Sequence, residues 1–222
     1  MPGRDTPASS PGCGVRPVRG LVFDCDGVLF DTRDVNRFYY NHILEKLGLA
    51  PMTAEEEDYS FMHTVDVSLA RLVPAELMPR LPEVVGHMTY DEFIDRMIPE
   101  PGLGNLLESL QIRGVRMAVN TNRKNSMEKV LERFHLTGFF SPVMTAAKVS
   151  RPKPHPEGLL RIAEEWGMPV EHMAYLGDSS VDQDAARGAG VPFWAYKNRG
   201  LRAELHVDSF HELRQWLESV GQ

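Results

Sequence analysis

Four short polar clusters carry residue types that could act together on a phosphate group. They are Asp24-Cys25-Asp26-Gly27, Thr121-Asn122, Lys153 within Arg151-Pro152-Lys153-Pro154, and Gly177-Asp178-Ser179-Ser180-Val181-Asp182. Several carboxylates brought to one place repel one another and need a cation, and hard oxygen ligands suit Mg²⁺. Asp24 and Asp178 are the expected ligands, with the backbone carbonyl of Asp26 as a third. A carboxylate is also a nucleophile able to form an acyl phosphate. The negative charge that develops on a transferring phosphoryl group calls for fixed donors and cations. Thr121, the backbone N–H of Asn122 and the ammonium of Lys153 would supply them. Asp26, two residues beyond Asp24, is placed to protonate a leaving oxygen and later to deprotonate water. Gly27 allows a sharp turn after this loop. Asp178 alone could cap the helix expected at 181–189; with Gly177 and Asp182 beside it, the metal role is preferred.

These clusters converge only if the elements before them share one sheet. Gly20-Leu21-Val22-Phe23 is a short apolar run ending at Asp24 and reads as a buried strand. Strands are expected at 115–120, 142–145, 172–177 and 191–196, and helices at 103–113, 124–135, 155–166, 181–189 and 209–219. Strands alternating with helices imply βαβ units and a parallel sheet. Ligands of open α/β sheets bind beyond the carboxyl ends of the strands, which is where the four clusters fall. Residues 33–98 lack any alternating strand pattern. A helix is expected at 33–48, then shorter helices broken by Pro74, Pro79 and Pro82. The expected organisation is a loose leader over 1–18, an α/β core of 19–32 and 99–222, and an all-helical insert over 33–98.

The composition narrows the partners. A formal charge of -7 disfavours broad binding to nucleic acid or anionic membranes. No apolar run reaches the roughly 20 residues needed to span a bilayer, and the first residues lack the apolar stretch of a secretory signal. Two cysteines, Cys13 and Cys25, do not make a disulfide framework, so free thiols and a cytoplasmic setting are expected. Cys25 reads as a packed apolar group rather than a reactive thiol.

The run Val22-Phe23-Asp24-Cys25-Asp26-Gly27-Val28-Leu29-Phe30-Asp31-Thr32 resembles the first motif of the haloacid dehalogenase (HAD) superfamily. Thr121-Asn122 is similar to the second motif, Lys153 to the third, and Gly177-Asp178-Ser179-Ser180-Val181-Asp182 to the fourth. The resemblance covers about residues 20–196 with the motifs in order. It implies a Rossmann-like α/β core with a helical cap, as in the phosphoglycolate phosphatase-like and β-phosphoglucomutase-like branch. Carried over by position, Asp24 is nucleophile and metal ligand, Asp26 is acid/base, and Thr121 and Asn122 grip phosphate. Lys153 neutralises phosphate and orients Asp24, Asp178 is a metal ligand, and Asp182 supports the metal or Lys153 from behind. Dehalogenases lack the second aspartate of the first motif, and P-type ATPases carry Asp-Lys-Thr-Gly-Thr; this chain differs from both. The implied activity is Mg²⁺-dependent hydrolysis of a small metabolite's phosphate monoester by a monomer or weak dimer. The alternatives are a phosphomutase and a non-catalytic protein that binds a phosphorylated metabolite. Within the insert, Arg33, Arg37, Tyr40, His63 and Arg71 are the polar residues expected to be able to reach a substrate.

Overall fold

The computed structural model describes residues 18–86, 88 and 93–220. The expected leader, apart from Val18, and the two last residues lie outside them.

Six strands form one parallel sheet in the order β5-β4-β1-β6-β7-β8. They are β1 (Gly20–Phe23), β4 (Arg116–Asn120), β5 (Val143–Met144), β6 (Met173–Gly177), β7 (Phe193–Tyr196) and β8 (Leu205–Val207). The chain builds outward from β1 through β4 to β5, then crosses to β6 on the other side of β1 and continues to β8. The reversal point therefore lies beside β1, with the carboxyl ends of β1, β4 and β6 adjacent.

Both faces of the sheet are covered, which is why its strands are apolar throughout rather than alternating. Leu21 and Phe23 point into a core shared with helices α5 (Leu103–Ile112), α6 (Met127–Arg133) and α9 (Phe210–Val220). Val22, between them, points to the opposite core under α7 (Glu157–Trp166) and α8 (Ser180–Ala189). This is the twofold alternation of a strand. It also places Cys25, fully buried, in the first of these cores. Burial pushes its thiol pKa well up, with further increments from Asp26 and Asp24.

The chain leaves the sheet through a two-stranded antiparallel ribbon, β2 (Phe30–Asp31) with β3 (Ile98–Pro99). Between them lie α1 (Arg33–Lys46), α2 (Ala54–Met62), α3 (Val65–Leu72), a short 3₁₀ turn and α4 (Leu81–Gly86). Thr53 and Thr64 cap α2 and α3 with their hydroxyls, and Thr53 forms a full capping box with Glu56. These helices close around their own apolar cluster, including Tyr40, Ile43, Leu44, Met52 and Leu69. Among the described residues, no helix is long and apolar enough to cross a membrane.

The ribbon and β8 were not expected from the sequence. Two-residue strands have no period to read, and Leu205-His206-Val207 sits in a polar stretch where only its pairing with β7 identifies it.

Candidate active site

Asp24 follows directly on β1, and its backbone N–H donates to the Leu176 carbonyl at 2.9 Å. Its side chain is fixed on one oxygen: Oδ1 accepts from the Cys25 N–H at 2.7 Å and lies 2.8 Å from Lys153 Nζ. Lys153 also donates to Asp182 Oδ1 at 2.6 Å and to Tyr175 Oη at 3.1 Å. The ammonium thus sits between two carboxylates with its three protons used. Asp182, 0% exposed, has no spare capacity either. Its Oδ1 accepts from Lys153 and from Tyr175 Oη at 2.7 Å, and its Oδ2 accepts from the Ser179 N–H at 3.1 Å and from the Ser179 hydroxyl. Ser179, not Asp178, caps α8, with Asp182 completing the capping box.

Asp178 comes from the turn after β6. No donor among the described residues meets its carboxylate. Carboxylate oxygens of Asp24, Asp178 and Asp182 lie within 4.8 Å of one another. Burial pushes Asp24 up from 3.8 to about 7, and the charge of Asp182 adds to this against the pull of Lys153. Burial and the charges of Asp182 and Asp24 also hold Asp178 well above the usual carboxylate range. Negative charge therefore exceeds what Lys153 compensates. Asp182 is already bound by Lys153, Tyr175 and Ser179, so Asp24 and Asp178 are the carboxylates whose surroundings fit a small hard cation.

Two glycines make the convergence possible. Gly27 takes φ +77°, and a Cβ there would lie 2.1 Å from Asp178 Oδ2. A Cβ on Gly177 would lie 2.4 Å from Asp182 Cβ. Side chains at either position would displace an aspartate of the site.

Asp26 is held differently. Its Oδ1 accepts from Thr32 Oγ1 at 2.6 Å and Arg123 Nη2 at 2.6 Å, and its Oδ2 from Arg123 Nε at 2.8 Å. Burial would raise its pKa, but the Arg123 guanidinium and the Thr32 hydroxyl outweigh this and hold it below the usual value. Thr121 and Asn122 follow β4. Thr121 Oγ1 accepts from the Arg123 N–H at 3.1 Å. The Asn122 amide bridges to the carbonyls of Met62 at 3.1 Å and Lys153 at 3.2 Å.

The structure thus gathers Asp24, Lys153, Asp178 and Asp182 into one cluster, with Asp26, Thr121 and Asn122 around the same cavity of about 80 Å³. Tyr40 and His63 line this cavity; Arg33, Arg37 and Arg71 do not. Those three arginines are instead paired at the surface with Asp58, Asp34 and Glu55. Asp31 accepts from the Arg33 N–H and shapes the turn into α1, and Asp184 pairs with Arg187 on the surface. Two site residues escaped sequence reasoning. Tyr175 sits in an apolar strand, where the only signal is that a buried tyrosine hydroxyl needs a partner. Arg123 follows the Thr121-Asn122 pair without belonging to a recognised pattern.

Residues 21–196 match the haloacid dehalogenase-like hydrolase family. A phosphoglycolate phosphatase of Agrobacterium fabrum is 30% identical over 187 residues, covering 80% of each chain. The Escherichia coli K12 phosphoglycolate phosphatase is 27% identical over 201 residues, covering 79% of each. Among solved structures, a subfamily IA HAD-superfamily hydrolase of Geobacter sulfurreducens aligns with a TM-score of 0.77 at 34% identity, over 90% of this chain and 99% of its own. CbbY of Rhodobacter sphaeroides, solved in complex with phosphate, shares the fold with a TM-score of 0.74 at 24% identity, over 88% of this chain and 96% of its own. The match over most of the chain, together with the order and convergence of the four clusters, shows that this protein is a hydrolase of the haloacid dehalogenase-like family.

Proposed function

We propose that this chain is a phosphatase that hydrolyses the phosphate monoester of a small metabolite, passing the phosphoryl group to Asp24 and then to water. The observation that carries this reading is Asp24 itself: a buried carboxylate fixed by the Cys25 N–H and Lys153, lining one cavity with Asp26, Thr121, Asn122 and Asp178.

In the first step an Asp24 carboxylate oxygen forms a bond to phosphorus as the bond from phosphorus to the ester oxygen breaks. Asp26, a carboxylate in the grip of Arg123 and Thr32, takes up a proton once its Oδ2 is released from Arg123 Nε and gives it to the departing oxygen. Thr121 and the Asn122 N–H hold the phosphoryl oxygens, where charge develops, and the nearby Lys153 ammonium neutralises that charge. In the second step Asp26 takes a proton from water. The water oxygen bonds to phosphorus, the Asp24–phosphorus bond breaks, and inorganic phosphate leaves. Asp182 and Tyr175 keep the Lys153 ammonium in place throughout.

Mg²⁺ is the proposed cofactor, held by Asp24, Asp178 and the Asp26 carbonyl, and it would supply charge neutralisation for the phosphoryl group. It is supported by the carboxylate oxygens of Asp24, Asp178 and Asp182 lying within 4.8 Å of one another, and by the upward push that burial and Asp182 give Asp24. The helices between β2 and β3 form the proposed cap, a separate unit over 33–98 that shields the first step from water. We read the enzyme as a cytoplasmic monomer or weak dimer acting on a small phosphorylated metabolite. Phosphoglycolate is the first substrate to try, since curated relatives bear that name.

The test is a phosphate-release screen of wild type and Asp24→Asn over sugar phosphates, nucleotides and phosphoglycolate, with Mg²⁺ and with a chelator. Release that needs both the metal and Asp24 supports the reading. Silence across the panel, or full activity in the variant, overturns it.

A further inference from the structure

Arg123 grips Asp26 on both carboxylate oxygens. The parallel contacts from Nε and Nη2, 2.8 and 2.6 Å, fix the plane of the carboxylate as well as its distance. The pair is sheltered, with side chains 12% and 17% exposed, so it is not a solvent-screened surface pair. The hold is also uneven. Among the described residues, Oδ1 has two donors, Arg123 Nη2 and Thr32 Oγ1, whereas Oδ2 has one, Arg123 Nε. Opening the Nε contact would free Oδ2 for proton transfer while Oδ1 kept the carboxyl aimed.

Arg123 is itself tied down. Its N–H donates to Thr121 Oγ1 at 3.1 Å and its Nη1 to Ser126 Oγ at 3.3 Å. Its neighbours in sequence reach the helices between β2 and β3. Asn122 Nδ2 donates to the Met62 carbonyl at 3.1 Å, and Lys124 Nζ to Asp66 Oδ2 at 2.7 Å. Three consecutive residues therefore join the end of α2, the start of α3 and the Asp26 carboxylate.

We propose that Arg123 is a positioning residue that aims the Asp26 carboxyl at the leaving oxygen, and that the 122–124 turn couples this aim to the seating of α2 and α3 on the core. This rests on the acid/base role given to Asp26 above. A lysine at 123 would keep the charge but contact one oxygen at a time, losing the plane.

The esters used distinguish this role from a merely structural one. p-Nitrophenolate departs without needing a proton, whereas an alkoxide does not. Wild type, Arg123→Met, Arg123→Lys, Asp26→Asn and the Asp26→Asn/Arg123→Met double variant are compared, with Mg²⁺, on p-nitrophenyl phosphate and on the best alkyl phosphate of the wild-type panel. Arg123→Met lowers kcat/KM, which reports the first step alone, by about 10²-fold on the alkyl ester, the scale of general acid catalysis, and by only about threefold on the aryl ester. Arg123→Lys falls between, with a melting temperature near that of wild type. In the Asp26→Asn background the Arg123→Met change costs nothing further on the alkyl ester. Equal losses on both esters, or an undiminished loss without Asp26, would overturn the proposal. Aryl-ester turnover by Asp24→Asn would instead refute the nucleophile assignment, so the two failures are told apart.

Discussion

Replacing Asp24 by asparagine should stabilise the metal-free protein at alkaline pH. Asp24 is 6% exposed, and burial with the nearby charge of Asp182 pushes its pKa from 3.8 to about 7 despite Lys153. A folded-state value raised above the unfolded one means that the native protein holds the proton more tightly. The associated stability is present below about pH 4 and is lost as pH rises through 7. A displacement from 3.8 to about 7 corresponds to on the order of 4 kcal/mol at about 1.36 kcal/mol per pH unit. Asparagine carries no charge at either end of the range. With chelator present, Asp24→Asn should match wild type near pH 3 and exceed it at pH 8 by up to that amount. For a chain of this length that is about 8–16 °C in melting temperature. Mg²⁺ at about a hundred times its dissociation constant should return about 2.7 kcal/mol to wild type and less to the variant. Thermal melts across this pH range, with and without Mg²⁺, read all of this directly. A variant less stable than wild type at pH 8 in chelator, or a gap that ignores pH, would refute the reasoning.

Gly27→Ala should cost about 1–2 kcal/mol for its left-handed backbone and weaken Mg²⁺ binding, because the added methyl would occupy the place of Asp178 Oδ2; titration calorimetry with Mg²⁺ checks the second effect. Asp182→Ala strips a buried carboxylate from Lys153 and Tyr175 and should destabilise the protein by about 3–5 kcal/mol, measured by urea denaturation. Tyr175→Phe should cost about 1–1.5 kcal/mol and lower kcat more than it raises KM, since the hydroxyl touches Lys153 and Asp182 but lies beneath the cavity; steady-state kinetics beside a urea melt separate the two.

The core was legible because its elements are strongly patterned. β1, β4, β6 and β7 fall within a residue or two of the expected spans, and apolar runs ending in Asp24, Asn120 and Asp178 point to one rim of the sheet. That the sheet is parallel followed from βαβ logic, whereas the order of its strands is seen only in the fold. What was not legible depends on distance in space. The β2–β3 pair joins residues nearly seventy positions apart with two residues on each side. Nothing about Arg123 in the sequence says that it will meet Asp26, which lies 97 positions away. Tyr175 reads as a strand aromatic, and nothing in the sequence says that its hydroxyl will meet Lys153 and Asp182, the latter in the first turn of α8. The arginines of the 33–98 segment illustrate the converse. They have the right chemistry for an anionic substrate, but their own acidic neighbours on α1 and α2 satisfy them at the surface.

The central claim is that the phosphoryl group visits Asp24 before it reaches water. Stereochemistry at phosphorus tests this whether or not the intermediate accumulates. Hydrolysis of a phosphorothioate monoester made chiral at phosphorus with two oxygen isotopes, run in water carrying the third, should proceed with overall retention, the outcome of two successive in-line displacements. Inversion would mean that water attacks the substrate directly, and would contradict the account.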